Sequence, residues 1–432
     1  MSWSPGPDVA VIGAGASGTL QAIHLKRAGA QVILIDRGPA PGRGVAYATD
    51  RPEHLLNVPA RRMSAFSDDP DHFERWYGAL TGGGPEDFAP RMLYGDYLAG
   101  LLAEAGIEPL HGEAVAIGEG GVRLADGRTI AADAIILAPG NFRPATPPGI
   151  DPAALGGLWV EDPWAGNLTE GLGAGDVLLL IGTGLTAVDV ALTLDATGYA
   201  GRIVALSRRG LAPRSHGARE PTVAPSEDLP AHCVAMLRRV RSRSDEIGWL
   251  GAVHELRAVT QALWQGASLS ERGRFLRHLR AWWDVHRHKV APQVGATIEA
   301  MQADARLAAA AGKLVSAEAA DGKALVRFRP RGADAVETLR VARIVNCTGP
   351  EIDIVRAGEP LLDALLAAGR IRPDPLRIGI DVDLECRAIG ADGRAGETLS
   401  VIGPITRGAF WESVAVPDIR AQAERVAARL TA

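Results

Sequence analysis

Two glycine-rich turns constrain what this chain can fold into. The first, Gly13-Ala14-Gly15-Ala16-Ser17-Gly18, follows the apolar run Val9, Ala10, Val11, Ile12 and opens a segment with helical spacing at residues 20–28. An apolar run at residues 31–35 completes a strand, helix, strand unit. In that setting each glycine has its own task. Gly13 admits the tight turn, Gly15 lets the backbone approach a pyrophosphate, and Gly18 lets helix and sheet pack closely. The helix N-terminus, with Ala16 and Ser17 in its first turn, adds unpaired N–H groups and a partial positive charge. Asp36 closes the next strand and is followed by Arg37. A carboxylate there accepts hydrogen bonds from the ribose hydroxyls of an adenosine and rejects a 2′-phosphate. The plainer alternative is a sharp turn with Asp36 capping the loop.

The device returns in Gly182-Thr183-Gly184-Leu185-Thr186-Ala187, between an apolar run at residues 177–181 and a helical segment at 187–197, with a further strand at 202–206. Alanine can take the third place because only close helix packing is asked of it. This time the strand runs out into Ser207-Arg208-Arg209. Guanidinium groups at that position pair with a 2′-phosphate, so the second site is expected to prefer NADPH to NADH, a solvated basic turn being the alternative. An acidic and a basic adenosine site in one chain are explained together by FAD at the first and NADPH at the second.

A length of 432 residues calls for two domains or three, and 47% hydrophobic with 22% charged residues describes a folded, turn-rich protein. A net charge of -5 and the lack of a long basic tract give no reason to expect nucleic acid as a partner. Residues 1–7 are too few for an export signal, and no run of about 18 apolar residues suggests a membrane span. Cys233, Cys347 and Cys386 are far apart without C-x-x-C, which argues against a disulfide framework, a zinc site or a dithiol centre. A cytoplasmic protein is expected. The alanine-rich stretch at residues 307–311 reads as helix. Residues 144–152 and 349–353 look like the two hinges between domains. Residues 229–301 read as a helical insertion with Trp264, Phe275, Leu276, Leu279, Trp282 and Trp283 as its apolar stripe, expected to pack on the second nucleotide domain sooner than to bind substrate.

Further segments carry a resemblance: Gly42-Arg43-Gly44-Val45-Ala46-Tyr47, His54-Leu55-Leu56-Asn57-Val58-Pro59, Met63-Ser64-Ala65-Phe66, Tyr94-Gly95-Asp96-Tyr97-Leu98, Trp282-Trp283-Asp284-Val285-His286-Arg287, Ile402-Gly403-Pro404 and Arg407-Gly408-Ala409-Phe410-Trp411-Glu412. With the glycine loops, they make the chain resemble the two-dinucleotide-binding flavoproteins. It is more closely similar to the FAD/NAD(P)-binding protein family related to N-hydroxylating and class B flavin monooxygenases. The implied fold is α/β, with two Rossmann-like dinucleotide-binding domains. The FAD domain is discontinuous (residues 1–165 and 340–432), and the NAD(P)H domain (166–339) is inserted with the helical insertion. Residues 133–141, ending in Pro139-Gly140-Asn141, look like the turn that closes the first half, and Asn346-Cys347-Thr348-Gly349 like the second copy. Gly140, Gly349 and Gly403 are thereby implied as cofactor neighbours, Gly403 beside the ribityl chain or pyrophosphate, although Pro404 replaces the usual acid after it.

The resemblance implies an NAD(P)H-dependent FAD oxidoreductase, foremost a monooxygenase acting on a small amine or amino acid with oxygen. A dehydrogenase or diaphorase without oxygen insertion and a non-catalytic redox sensor stay open. The Baeyer–Villiger signature is missing between the loops, and no cysteine pair serves a disulfide reductase. Such chemistry needs a dry pocket and a hydrogen-bond donor beside the flavin. Asn57 is the candidate donor; Tyr47, His54 and Trp411 are candidate catalytic neighbours, with core packing as the alternative for each. Arg407 and Glu412 are further candidates, and His286 and Asp284 alternative substrate contacts.

Overall fold

The computed structural model describes residues 8–217 and 229–432. Residues 1–7, where no export signal is expected, lie outside them. The first glycine loop joins β1 (Asp8–Ile12) to α1 (Ala16–Arg27), and β2 (Gln31–Asp36) follows. These strands sit in a six-stranded sheet in the order Arg387–Ile389, Ala395–Val401, Ala134–Leu137, β1, β2, Leu110–His111. All neighbours pair in parallel except the first two. The strands read as near-continuous apolar runs because both faces are covered, and Val9, Val11, Leu34 and Ile136 are fully buried. The C-terminal helix Val416–Thr431 packs along α1, and Gln21 donates to the Ala423 carbonyl at 3.2 Å in that seam.

The second sheet has seven strands, in the order Glu337–Val341, Lys323–Pro330, Leu307–Ala320, Arg202–Ser207, Val177–Ile181, Arg343–Asn346, Trp159–Val160. Two strands lie close to the expected domain boundaries at 165 and 340. Trp159–Val160 and Arg343–Asn346 pair with each other in this second sheet, and Arg343–Asn346 also pairs with Val177–Ile181. The chain therefore crosses between the sheets after Leu137 and after Asn346, close to the proline- and glycine-rich stretches at 144–152 and 349–353.

The alanine-rich stretch is a strand, not a helix. Leu307 to Ala311 pair in parallel with Ile203 to Ser207. Alanine's intrinsic helix preference is a few tenths of a kcal/mol per residue, on the order of what one ladder contact outweighs. Small side chains are also required there, since a Cβ on Gly210 would lie 3.1 Å from that of Ala311.

The insertion is built of helices: Cys233–Glu255, broken at Gly248, then Thr260–Gly266, Leu269–His278, Arg280–Arg287 and Pro292–Ala303. Its packing departs from expectation. The last helix does lie on the second domain, where Val290, Ala291 and Val294 meet Val188 and Leu192. The aromatic middle turns instead to the C-terminal segment of the first: Trp264 stacks on Trp411 at 4.7 Å and donates to the Gly408 carbonyl at 2.8 Å. Trp264, Phe275, Leu276 and Trp283 share that cluster, while Trp282 is exposed. Among the described residues no helix is long and apolar enough to cross a membrane.

Candidate functional site

At the first loop Gly13 has φ +102°, and a Cβ there would lie 2.3 Å from the Ala138 carbonyl oxygen; a Cβ on Gly18 would lie 1.7 Å from the Gly13 oxygen. Both are forced to be glycine by backbone contact. Gly15 differs, with nothing nearer than the Gly44 Cα at 3.6 Å, so its face of the loop is open. It is the N-cap of α1 and no side chain caps the helix, which leaves the first-turn N–H groups at Ala16 and Ser17 toward that opening. Asp36 accepts from the Ala14 N–H and, at 2.5 Å, from the Gly38 N–H, so its carboxylate braces the loop from the end of β2. Arg37, expected beside the cofactor, is instead tied to Glu359 at 2.9 Å and Glu113 at 3.1 Å, because two acids converge on its exposed side chain. Gly403 closes the site from the far end of the chain. A Cβ on it would lie 2.6 Å from the Ser17 Oγ, and its N–H donates to Gln422 at 3.0 Å.

The second loop repeats this construction. Gly182 has φ +125°, and its Cβ would lie 2.1 Å from the Cys347 carbonyl oxygen, the counterpart of Ala138. Gly184 has nothing within 4 Å and is the uncapped N-terminus of the helix Leu185–Ala196, whose first turn holds Leu185 and Thr186. Each crossing strand thus delivers a carbonyl against a glycine loop and then turns at a positive-φ glycine, Gly140 at 72° and Gly349 at 85°. The two arginines part company. Arg208 is exposed and makes no hydrogen bond or ion pair among the described residues. Arg209 donates to the carbonyls of His278 and Arg277 at 3.1 and 3.4 Å, capping a helix of the insertion.

The candidate catalytic residues separate as well. His54 is a core histidine: it is 1% exposed, Nδ1 faces the Thr49 hydroxyl at 2.8 Å, and Nε2 faces the Thr193 hydroxyl at 3.0 Å and the Asp189 carbonyl at 3.1 Å. Both nitrogens are occupied, and Nε2 joins the first domain to the second. Trp411, expected near the reacting centre, is 5% exposed in the aromatic cluster under the insertion. Tyr47 packs on Tyr94 at 4.7 Å, and burial pushes its hydroxyl up to about 12. Asn57 is half-buried; its carbonyl accepts from His216 at 3.0 Å and its amide makes no side-chain hydrogen bond among the described residues. His286 bonds the Trp282 carbonyl at 2.8 Å within its own helix, and Asp284 pairs with Arg280 at 3.3 Å. Burial raises the Asp284 carboxyl. Arg407 is a half-buried cation over the Trp411 ring at 5.7 Å that makes no hydrogen bond among the described residues; burial lowers it to about 10.

Sequence reasoning passed over the pair that fastens the two domains. Arg91 donates both terminal nitrogens to Asp189 at 2.7 and 2.6 Å, and Nε to the Leu55 carbonyl at 3.0 Å. Asp189 stands just after Ala187, on the helix the second loop opens. Neither residue lies in a motif, so only a partner distant in sequence gives it meaning.

Residues 10–142 match a family model described as FAD-NAD(P)-binding. No curated protein matches the chain in sequence. Solved structures match in fold over nearly the whole length. Ornithine hydroxylase from Pseudomonas aeruginosa is 15% identical, with 98% of each chain covered and a TM-score of 0.65. L-lysine 6-monooxygenase from Pseudomonas syringae is 17% identical, covering 98% of this chain and 99% of that one, at 0.65. An ornithine N-hydroxylase of Kutzneria sp. 744, solved with reduced FAD, NADP+ and L-ornithine, is 14% identical with 99% of both covered, at 0.64. Residues 10–142 are thus similar to an FAD-NAD(P)-binding domain, and the chain as a whole has the fold of these hydroxylases and monooxygenases.

Proposed function

We propose that the chain is an NADPH-dependent FAD oxidoreductase, and within that class a monooxygenase that N-hydroxylates a small amine or amino acid. The observation that carries this reading is the pair of open, uncapped glycine cradles, one braced by Asp36 and the other followed by an unpaired Arg208, in a fold shared with hydroxylases end to end. Bound FAD would supply a two-electron carrier between NADPH and oxygen.

The chain's own residues divide the remaining work. The α1 N-terminus with Gly13, Gly15, Ala16, Ser17 and Gly18 holds the pyrophosphate of FAD, and Asp36 its ribose. Gly403 brings the C-terminal segment against Ser17, and Arg407 four residues on offers guanidinium N–H donors to an acceptor that the protein itself does not provide. The Gly184, Leu185 and Thr186 N–H groups hold the second pyrophosphate, and Arg208 takes the 2′-phosphate. Asn57 is the donor lining the reacting pocket, with Tyr47 behind it. The stack of Trp264, Phe275 and Trp411 excludes water along the seam with the insertion. Scarce, unpaired cysteines support a cytoplasmic setting.

The test is to reconstitute the protein with FAD, reduce it anaerobically with NADPH or NADH, then admit oxygen with and without candidate amines while following oxygen uptake, peroxide and hydroxylamine product. Faster reduction by NADPH and product matching oxygen consumed is the expected result. A protein that takes up no FAD refutes the reading at its root. Oxygen converted wholly to peroxide with every amine leaves an oxidoreductase without oxygen insertion.

A further inference from the structure

Where the helical insertion meets the C-terminal segment there is a cavity of about 390 Å³ lined by His254, Glu255, Arg257, Ala258, Arg287, Glu412, Pro417 and Asp418. Its acids are mostly committed. Glu255 is held by Arg239 at 3.2 Å and Arg243 at 3.0 Å. Glu412 accepts from the Trp283 indole at 3.2 Å and faces Arg287 at 2.7 Å. Burial, with Glu412 nearby, raises the Asp418 carboxyl, against the opposing pull of Arg287 and Arg257.

The cations are not matched to the same degree. Arg287 is 10% exposed in its side chain and its Nε has no partner. Arg257 makes no hydrogen bond and no ion pair among the described residues, although Asp418 and Glu412 act on it at longer range. Burial, then the like charges of Arg287 and Arg62, lowers it to about 10. A guanidinium withdrawn from water without an acceptor is costly, and its planar fork is matched by the two oxygens of a carboxylate.

From this cavity we infer that the seam binds a small organic carboxylate, anchored by the Arg257 fork with Arg287 beside it. The cavity holds a molecule of a few heavy atoms beyond the carboxylate, and its walls join two regions of the chain that are distant in sequence. Occupancy would tie the insertion to the C-terminal helix. The site needs neither flavin nor nicotinamide, so it stands or falls apart from the oxidoreductase reading.

The test is calorimetric titration of the full chain, at constant ionic strength, with acetate, glycine, succinate and inorganic phosphate, repeated on Arg257→Gln and Arg257→Lys. At least one carboxylate should bind saturably and more tightly than phosphate. Removing one charge-assisted pair should weaken it about 10- to 100-fold in Arg257→Gln. Arg257→Lys keeps the charge but loses the fork and should weaken it about several-fold; it serves as the readout if the glutamine variant fails to fold, which a ligand-free thermal melt shows. Wild-type affinity in the variants, phosphate binding tighter than every carboxylate, or no binding of any of the four overturns the inference.

Discussion

Removing Arg91 should loosen the whole molecule, because the charge it leaves behind is buried. Asp189 is 5% exposed and Arg91 19%, and the pair is bidentate at 2.6 and 2.7 Å. Arg91→Met strands the Asp189 carboxylate in a low-dielectric seam and should cost about 3–5 kcal/mol. For a domain of this size that corresponds to a fall of about 6–20 °C in Tm, at roughly 2–4 °C per kcal/mol. Replacing both partners, Arg91→Met with Asp189→Leu, removes the uncompensated charge and should recover most of the loss. Arg61 and Glu86 make the internal control: their contact is just as short, 2.6 Å, but their side chains are 41% and 70% exposed. Arg61→Met should therefore cost under about 1 kcal/mol. Urea unfolding of the four proteins, followed by both fluorescence and circular dichroism, measures these differences. If Arg91→Met falls within about 1 kcal/mol of wild type, or the double replacement is no better than the single, the seam is wetter than the geometry implies.

Three further outcomes follow from the site. Gly15→Ala should fold, since nothing lies within 3.6 Å of the added Cβ, yet bind FAD more weakly, whereas Gly13→Ala should destabilise the protein itself through its φ of +102° and a 2.3 Å clash; flavin absorbance per chain and thermal melts separate the two. Arg208→Ala should raise the KM for NADPH about tenfold more than that for NADH, and an equal effect on both refutes the 2′-phosphate role. His288 is held neutral by burial and by Arg287, Arg407 and Arg280, its folded-state value lowered to about 3 from 6.5. The unfolded chain therefore binds more protons below pH 6.5, so this contribution is intact above that value and is lost as pH falls toward 3, by up to about 1.4 kcal/mol per unit. His288→Asn should flatten the loss of stability between pH 6 and 4; an unchanged slope refutes the assignment.

The two glycine loops and the acid after β2 were legible in the sequence because the constraint is local. A positive φ, a backbone contact and a helix N-terminus all lie within one strand, turn, helix unit, and Gly13, Gly15, Gly18, Gly182 and Gly184 stand where that unit needs them. The insertion's helices were legible for the same reason of short-range periodicity. Residues 307–311 misled because alanine's helical preference is weaker than pairing with a strand a hundred residues earlier in the chain. The partners of His54, Trp411 and Arg37 were not legible for a related reason. A histidine, a tryptophan or an arginine has the same local signature whether it meets a cofactor, a core or two distant acids. What the sequence determined by itself is the number and kind of nucleotide loops. Only the tertiary structure decided that Gly403 meets Ser17, that Arg91 locks onto Asp189, and that the insertion leans on the C-terminal segment, because those pairings depend on side chains brought together across the fold.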